Sequence, residues 1–250
     1  MSATPPAPPP PPAPLDGRTV VVIGGSSGIG LEVARRSVTA GASVVLGGRN
    51  EDRLAEAARE LGPAARWHPV DNTDKRSIAA FFDTVDHLDH LFTPAASYRT
   101  GPMRELSDED AESPFVSKFW GQYHAVRHAA PRLSQDGSVV LMSGAASVRP
   151  AGPAPAYVAC NAAIEGLGRG LAVELAPVRV NVVSPGMIDG SLWSGRPADV
   201  REQAAGHYRE AALLNRLGTE PEVAETVLFL FTNGYMTGST LYPDGGYALR

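Results

Sequence analysis

Short runs of β-branched and other apolar residues alternate along the chain with longer stretches of mixed polarity. Arg18–Gly24 (RTVVVIG) has the continuous apolar character of a strand buried on both faces. Ser43–Gly48, Ala65–Val70, His90–Ala95, Ser138–Ser143, Val178–Ser184 and Ser239–Pro243 read as strands too. Between them Gly28–Ala40, Glu51–Leu61, Lys75–Val85, Ala156–Leu175 and Glu222–Phe231 read as helices, with Gly41 and Gly62-Pro63 placed as stops. A longer helical stretch runs from about Ser107 to Leu133, with an interruption expected near Pro114. This alternation predicts an α/β architecture: one doubly wound, mostly parallel seven-stranded sheet covered by helices on both faces. Met187–Asn215 is the longest insertion between regular elements. It is expected beyond the carboxyl end of a strand, where open α/β sheets bind ligands.

Composition refines this picture in three places. Eight of the 22 prolines fall in residues 1–14, which carry no core-forming residues and read as a disordered proline-rich tail ahead of a single domain, residues 15–250. The one cysteine, Cys160, excludes an internal disulfide framework or a multi-cysteine zinc site, and a net charge of −5 argues against a dedicated nucleic-acid binder. No apolar run is long enough to span a membrane and the N-terminus lacks a signal-peptide pattern, so the expectation is a cytoplasmic protein with neither nucleic-acid nor membrane partner. The third oddity is lysine: of 22 Lys and Arg residues only Lys75 and Lys118 are lysines.

The first strand runs directly into Gly24-Gly25-Ser26-Ser27-Gly28-Ile29-Gly30, after which the chain turns helical. Such a turn lets a pyrophosphate approach the backbone and aims helix N–H groups at it, and glycines supply the φ values and the missing Cβ. The expectation is a Rossmann-type dinucleotide site involving Gly24, Ser26, Ser27, Gly28, Ile29 and Gly30. The spacing Gly24-x3-Gly28-x-Gly30 resembles the short-chain dehydrogenase/reductase family, over residues 16–250, with Ile23 where that family usually has Thr. At the end of the second strand Gly48 stands where NAD-preferring members carry an acidic residue, and Arg49 follows, so a 2′-phosphate meets a guanidinium and NADP(H) is favoured. The resemblance implies that Asp71-Asn72 and Ala95 border the adenine, and that Pro185, Gly186 and Ile188 lie against the nicotinamide. The family's asparagines after the fourth strand are replaced here by Thr93 and Pro94, and its usual Thr after Ile188 falls at Gly190, with Ser191 as a possible substitute.

Hydride transfer to a carbonyl needs a proton donor near the developing alkoxide. A tyrosine serves when a nearby cation stabilises its phenolate. The family provides Tyr-x-x-x-Lys on one helix, a Ser at the preceding strand end, and an Asn in the long fourth helix. Here the motif reads Tyr157-Val158-Ala159-Cys160-Asn161, so Asn161 stands in place of the lysine. The family's serine position falls on Gly144, one residue after Ser143, and Lys118 occupies the family's Asn position. A reciprocal exchange is the resulting expectation: Tyr157 as acid and base, Lys118 as the cation, Asn161 as the bracing group and Ser143 as the substrate-orienting hydroxyl. The alternative for Lys118 is a solvated or interface residue beside a redox-impaired site.

Other candidates have plainer readings. His124 and His128 have i, i+4 spacing but no third ligand, so no metal is expected. His87 and His90 flank a short turn and read as solvated, Cys160 as a small buried residue, and Met187 and Trp193 as substrate-pocket candidates. The whole points to an NADP(H)-dependent oxidoreductase that interconverts a secondary alcohol and a ketone, or reduces a related C=O or C=C bond, on a small to mid-sized apolar substrate. The resemblance further implies a homo-oligomer, dimer or tetramer. A non-redox isomerase, cyclase or dehydratase on the same scaffold, or a non-catalytic NADP(H)-binding sensor, stays open.

Overall fold

The computed structural model describes residues 14–190 and 198–249; the proline-rich segment up to residue 13, and Ser191 and Trp193, lie outside the described residues. Seven strands form one parallel sheet: β1 (Thr19–Ile23), β2 (Ser43–Gly48), β3 (Ala65–Pro69), β4 (Leu88–Thr93), β5 (Leu133–Met142), β6 (Arg179–Val183) and, at the far edge, Thr240–Leu241. Their spatial order is β3-β2-β1-β4-β5-β6 and then that last strand, so the winding reverses between β1 and β4. A crevice opens there at the carboxyl ends of the strands.

Helices α1 (Gly28–Thr39), α2 (Glu51–Leu61), α3 (Lys75–Phe82), α4 (Asp108–Pro114), α5 (Gly121–Ala129), α6 (Pro155–Glu174), α7 (Ala198–Ala211) and α8 (Glu220–Thr232) connect them. The sheet is buried on both faces, which is why its strands read as unbroken apolar runs. One core joins Val20 and Val22 to α1, α2 and α8 through Val33, Leu54 and Val227. The other joins Val21 and Ile23 to α3, α5 and α6 through Phe81, Val126 and Ile164. Local chemistry sets the helix ends. Asn50 accepts from Arg53 N at the start of α2, Asp74 accepts from Arg76 N at the start of α3, and Gly62 closes α2 with φ 79°.

The interruption expected near Pro114 is present, and three other features differ from the sequence expectation. The long helix is broken into α4 and α5 by a wide π-helical turn, Phe115–Trp120, directly after Pro114. A proline inside a helix cannot donate to the preceding turn, and the wider turn absorbs the misfit. β5 starts at Leu133 rather than Ser138: Leu133 pairs with Leu88, and the register then shifts before His90 pairs with Ser138. The Met187–Asn215 insertion contains α7, and a two-residue ladder of Ile188–Asp189 with Gly218–Thr219 ties its two ends together. His90 is not solvated: it is 4% exposed on β4, bonds Ser138 Oγ at 2.9 Å and stacks on Phe231 at 4.9 Å. Burial holds its imidazole down to about pKa 4.

Candidate active site

The glycine turn is built by close approach. Gly24 N and Gly25 N both donate to Gly47 O, at 2.7 and 3.2 Å, and Gly24 has φ 101° and Gly28 φ 60°. A Cβ on Gly24 would come within 2.8 Å of Ala95 N, and one on Gly30 within 2.0 Å of Gly24 O. Ser27 precedes α1 with extended backbone and makes no side-chain cap. The first N–H groups of α1 are therefore directed at a cradle that only glycine leaves open. These residues fit the pyrophosphate of a dinucleotide.

The end of β2 flanks the turn: a Cβ on Gly48 would lie 3.6 Å from Ser26 Oγ. Arg49 follows, exposed and without an ion pair among the described residues. It lines a cavity of about 570 Å³ with His68, Asp71 and Ser77. Asp71 Oδ1 accepts from Thr73 N and Oγ1 at 2.9 and 2.8 Å. Asn72 is buried and donates to Ala95 O at 3.1 Å and Ser117 O at 2.6 Å, so its amide braces the end of β4 against the π turn.

On the other side of the crevice, α6 begins with Pro155 and carries Tyr157 and Asn161 one turn apart, hence on one face. Asn161 is fully buried and its Nδ2 donates to Tyr157 O at 2.9 Å. The π turn aims Lys118 inward, 4% exposed, where Nζ donates to Ser143 O at 2.8 Å and to Asn161 Oδ1. Nζ also stands 5.3 Å from the Tyr157 ring centre. Burial alone would raise the Tyr157 phenol. The Lys118 charge, the Tyr98 hydroxyl and Asn161 together outweigh it, and the phenol sits below its ordinary range.

Ser143 does not orient toward this phenol, contrary to the expectation. Its Oγ donates to Asn161 O at 2.9 Å and to Glu165 Oε1 at 3.3 Å, behind α6. The residue that faces Tyr157 is Gly144, whose Cβ would lie 3.3 Å from Tyr157 Oη. Neighbouring residues at the end of a strand point to opposite sides, and the one-residue offset decides the matter. Two residues with no marked motif also shape the site. Tyr98, after β4, donates its hydroxyl to Tyr157 Oη at 3.3 Å. Glu165 gathers Ser143, Ser147, Ser184 and Tyr242 hydroxyls, tying the ends of β5, β6 and the last strand together. Glu165 was detectable only as a carboxylate amid an apolar helix; nothing in the spacing marked Tyr98.

The remaining candidates separate. Pro185 O accepts from Ala145 N at 2.9 Å, and Ile188 forms the short ladder with Gly218. A Cβ on Gly186 would overlap Tyr208 Oη, at 1.6 Å. Met187 packs on Ala145, Tyr208 and Tyr247. Cys160 is buried against Pro114 O, and burial pushes its thiol up to about 11, with Lys118 opposing. His124 stacks on Trp120. Among the described residues no cluster of three metal-binding side chains occurs, and no helix is long and apolar enough to cross a membrane.

A family model described as enoyl-(acyl carrier protein) reductase matches residues 23–248. Cis-4-hydroxycyclohexanecarboxylate dehydrogenase of Sinomonas cyclohexanicum is 34% identical over 243 residues, covering 92% of this chain and 96% of that protein. A short-chain type dehydrogenase/reductase from Mycobacterium ulcerans superposes with a TM-score of 0.87 at 32% identity, over 94% of this chain and 91% of the other. A small-chain dehydrogenase solved in complex with NADPH gives 0.78 at 31% identity, over 94% of this chain and 100% of the other.

Proposed function

The chain belongs to the short-chain dehydrogenase/reductase family, and on that premise we propose that it is an NADP(H)-dependent oxidoreductase acting between a secondary alcohol and a ketone, or on a related C=O or C=C bond, of a small to mid-sized apolar substrate. The observation that carries this reading is the buried Lys118 ammonium, held by Ser143 O and Asn161 Oδ1 beside the Tyr157 ring.

When bound, the nicotinamide supplies or accepts the hydride. The chain's own residues handle the proton and the charge. Tyr157 gives its hydroxyl proton to the substrate oxygen in reduction and removes it in oxidation. Lys118 stabilises the phenolate left behind, across two helices rather than from the turn after Tyr157. Asn161 fixes the ammonium with Oδ1 and the start of α6 with Nδ2. NADP(H) rather than NAD(H) is supported by the exposed Arg49 next to Gly48. The NADPH complex of a relative is in keeping with it. A homo-oligomer is supported by exposed apolar residues on the π turn, Val116 (43%) and Trp120 (47%), and on α6, Val173 (83%).

The test is NADPH oxidation across a panel of cyclic and open-chain ketones. The wild type should turn over at least one of them, and Tyr157→Phe should abolish that turnover. Product formation that consumes no NADPH would replace this reading with a non-redox one.

A further inference from the structure

We infer that Tyr98 is the second oxygen-binding hydroxyl of this site: with no side chain at position 144, the Tyr98 and Tyr157 hydroxyls together hold the oxygen of a carbonyl substrate. This rests on the reductase reading and adds to it a residue outside any motif.

Three observations converge. First, position 144 faces the phenol, since a Cβ there would lie 3.3 Å from Tyr157 Oη and 3.4 Å from Asn161 Oδ1, and glycine leaves that position without a donor. Second, the adjacent Ser143 cannot swing round to serve, because its hydroxyl is buried and bonded to Asn161 O and Glu165. Third, Tyr98 brings a hydroxyl to the same place from the opposite wall. Its Oη donates to Tyr157 Oη at 3.3 Å, and the two rings stack with centres 4.9 Å apart and planes 30° apart. The Lys118 ammonium stands 6.0 Å from the Tyr98 ring centre and 5.3 Å from that of Tyr157, so both rings lie beside the same cation.

An oxygen seated against both hydroxyls receives two hydrogen bonds. In reduction the carbonyl carbon takes the hydride pair and the C=O π pair moves onto oxygen. The Tyr157 O–H bond breaks and its proton completes the alcohol. The Tyr98 O–H bond stays intact and turns its donor to the new Tyr157 phenolate, until a proton from solvent restores the phenol. The hydride donor is reduced nicotinamide, which leaves oxidised. A hydrogen bond aimed at developing negative charge is worth most where water is excluded.

The experiment compares wild type, Tyr98→Phe, Gly144→Ser and the double variant, each with and without Tyr157→Phe. Gly144 has extended backbone, φ −176°, so serine fits there once the phenol gives by a few tenths of an ångström. The tyrosinate absorbance difference between each protein and its Tyr157→Phe counterpart reads the pH at which Tyr157 ionises, without cofactor. Tyr98→Phe should move that pH upward and lower kcat for NADPH-dependent ketone reduction by about 100-fold. Gly144→Ser in the Tyr98→Phe background should reverse most of both changes, because a serine hydroxyl restores the second donor. Tyr98→Phe with an unchanged ionisation pH, or a double variant no better than Tyr98→Phe, would overturn the assignment. A wild type that reduces no ketone would sink the reductase reading instead, while the ionisation data still decide whether Tyr98 acts on Tyr157.

Discussion

The two ends of the sheet both bury charge, and they differ in what that charge faces: an aspartate paired with arginine at one end, a phenol beside a lysine at the other. At the amino end, Arg18 donates to Asp89 at 2.8 Å and to Asp136 at 2.6 Å, and Asp89 also accepts from Thr19 N and Ser134 Oγ. Arg179 spends its guanidinium on Leu230 O and Phe231 O, the negative end of the α8 dipole. At the carboxyl end, Lys118 has no carboxylate partner among the described residues and is held only by neutral oxygens. A buried cation compensated by dipoles alone is costly to the fold. Its field falls instead on Tyr157. The paired Arg18–Asp89 charge at one end serves stability, whereas Lys118, held like Arg179 by neutral oxygens, differs from it in turning its charge on a phenol.

The largest expected effect breaks the carboxyl end. Lys118→Met should lower ketone reduction by at least ~100-fold. The same variant should leave urea-unfolding stability equal to wild type or raise it by about 1 kcal/mol, since the desolvation cost disappears. A variant that loses both activity and more than about 1 kcal/mol would show that Lys118 is structural.

Arg49→Ala should weaken NADPH binding by about tenfold or more, equivalent to ~1.4 kcal/mol, and leave NADH binding nearly unchanged. Fluorescence titration of the two cofactors measures the ratio, and equal losses for both would mean Arg49 does not read the 2′-phosphate.

At the amino end the sign is reversed. Asp89→Ala should cost about 2 kcal/mol, between an exposed and a fully buried pair, because Arg18 remains partly solvated. Ketone reduction at 25 °C should be unaffected, and a fall in kcat without loss of stability would blur the division between the two ends. Burial works against the Asp89 carboxylate, but bonds from Ser134, Thr19 N and Arg18 prevail and hold it down to about 2. Its contribution is therefore present above the unfolded pKa near 4 and is lost only as pH falls through about 2.

At neutral pH the smallest effect belongs to His90, neutral when folded down to about pH 4. The unfolded chain binds a proton there near pH 6.5, so stability falls as pH drops from about 6.5 to about 4, with a limiting slope of roughly 1.4 kcal/mol per pH unit. His90→Asn keeps a polar partner for Ser138 and removes the titration. Unfolding measured between pH 4 and 7 should then show a flatter pH dependence than wild type.

Much of the molecule was legible from local pattern. The seven strands are visible as apolar runs because both faces of each central strand are buried, and the glycine turn is visible because only glycine survives a Cβ clash such as the one between Gly30 and Gly24 O. The two-lysine count also directed attention to Lys118. Where the reading failed, the deciding contact was distant in the chain. His90 reads as a polar residue near a turn until Phe231, from α8, stacks on it. Ser143 reads as the nearest hydroxyl to the expected place until Glu165 and Asn161 claim it.

By itself, then, the amino-acid sequence determined the order of strands and helices, the phosphate-type turn and the absence of a lysine four residues after Tyr157, because each is encoded in neighbours within a few positions. The tertiary structure alone decided which side chains meet at the phenol. The π turn after Pro114 carries Lys118 across to Asn161, the strand-end geometry turns Ser143 away and Gly144 inward, and the segment after β4 delivers Tyr98. These are contacts between residues 13 to 59 positions apart, and no periodicity along the chain records the direction in which a side chain leaves an irregular turn.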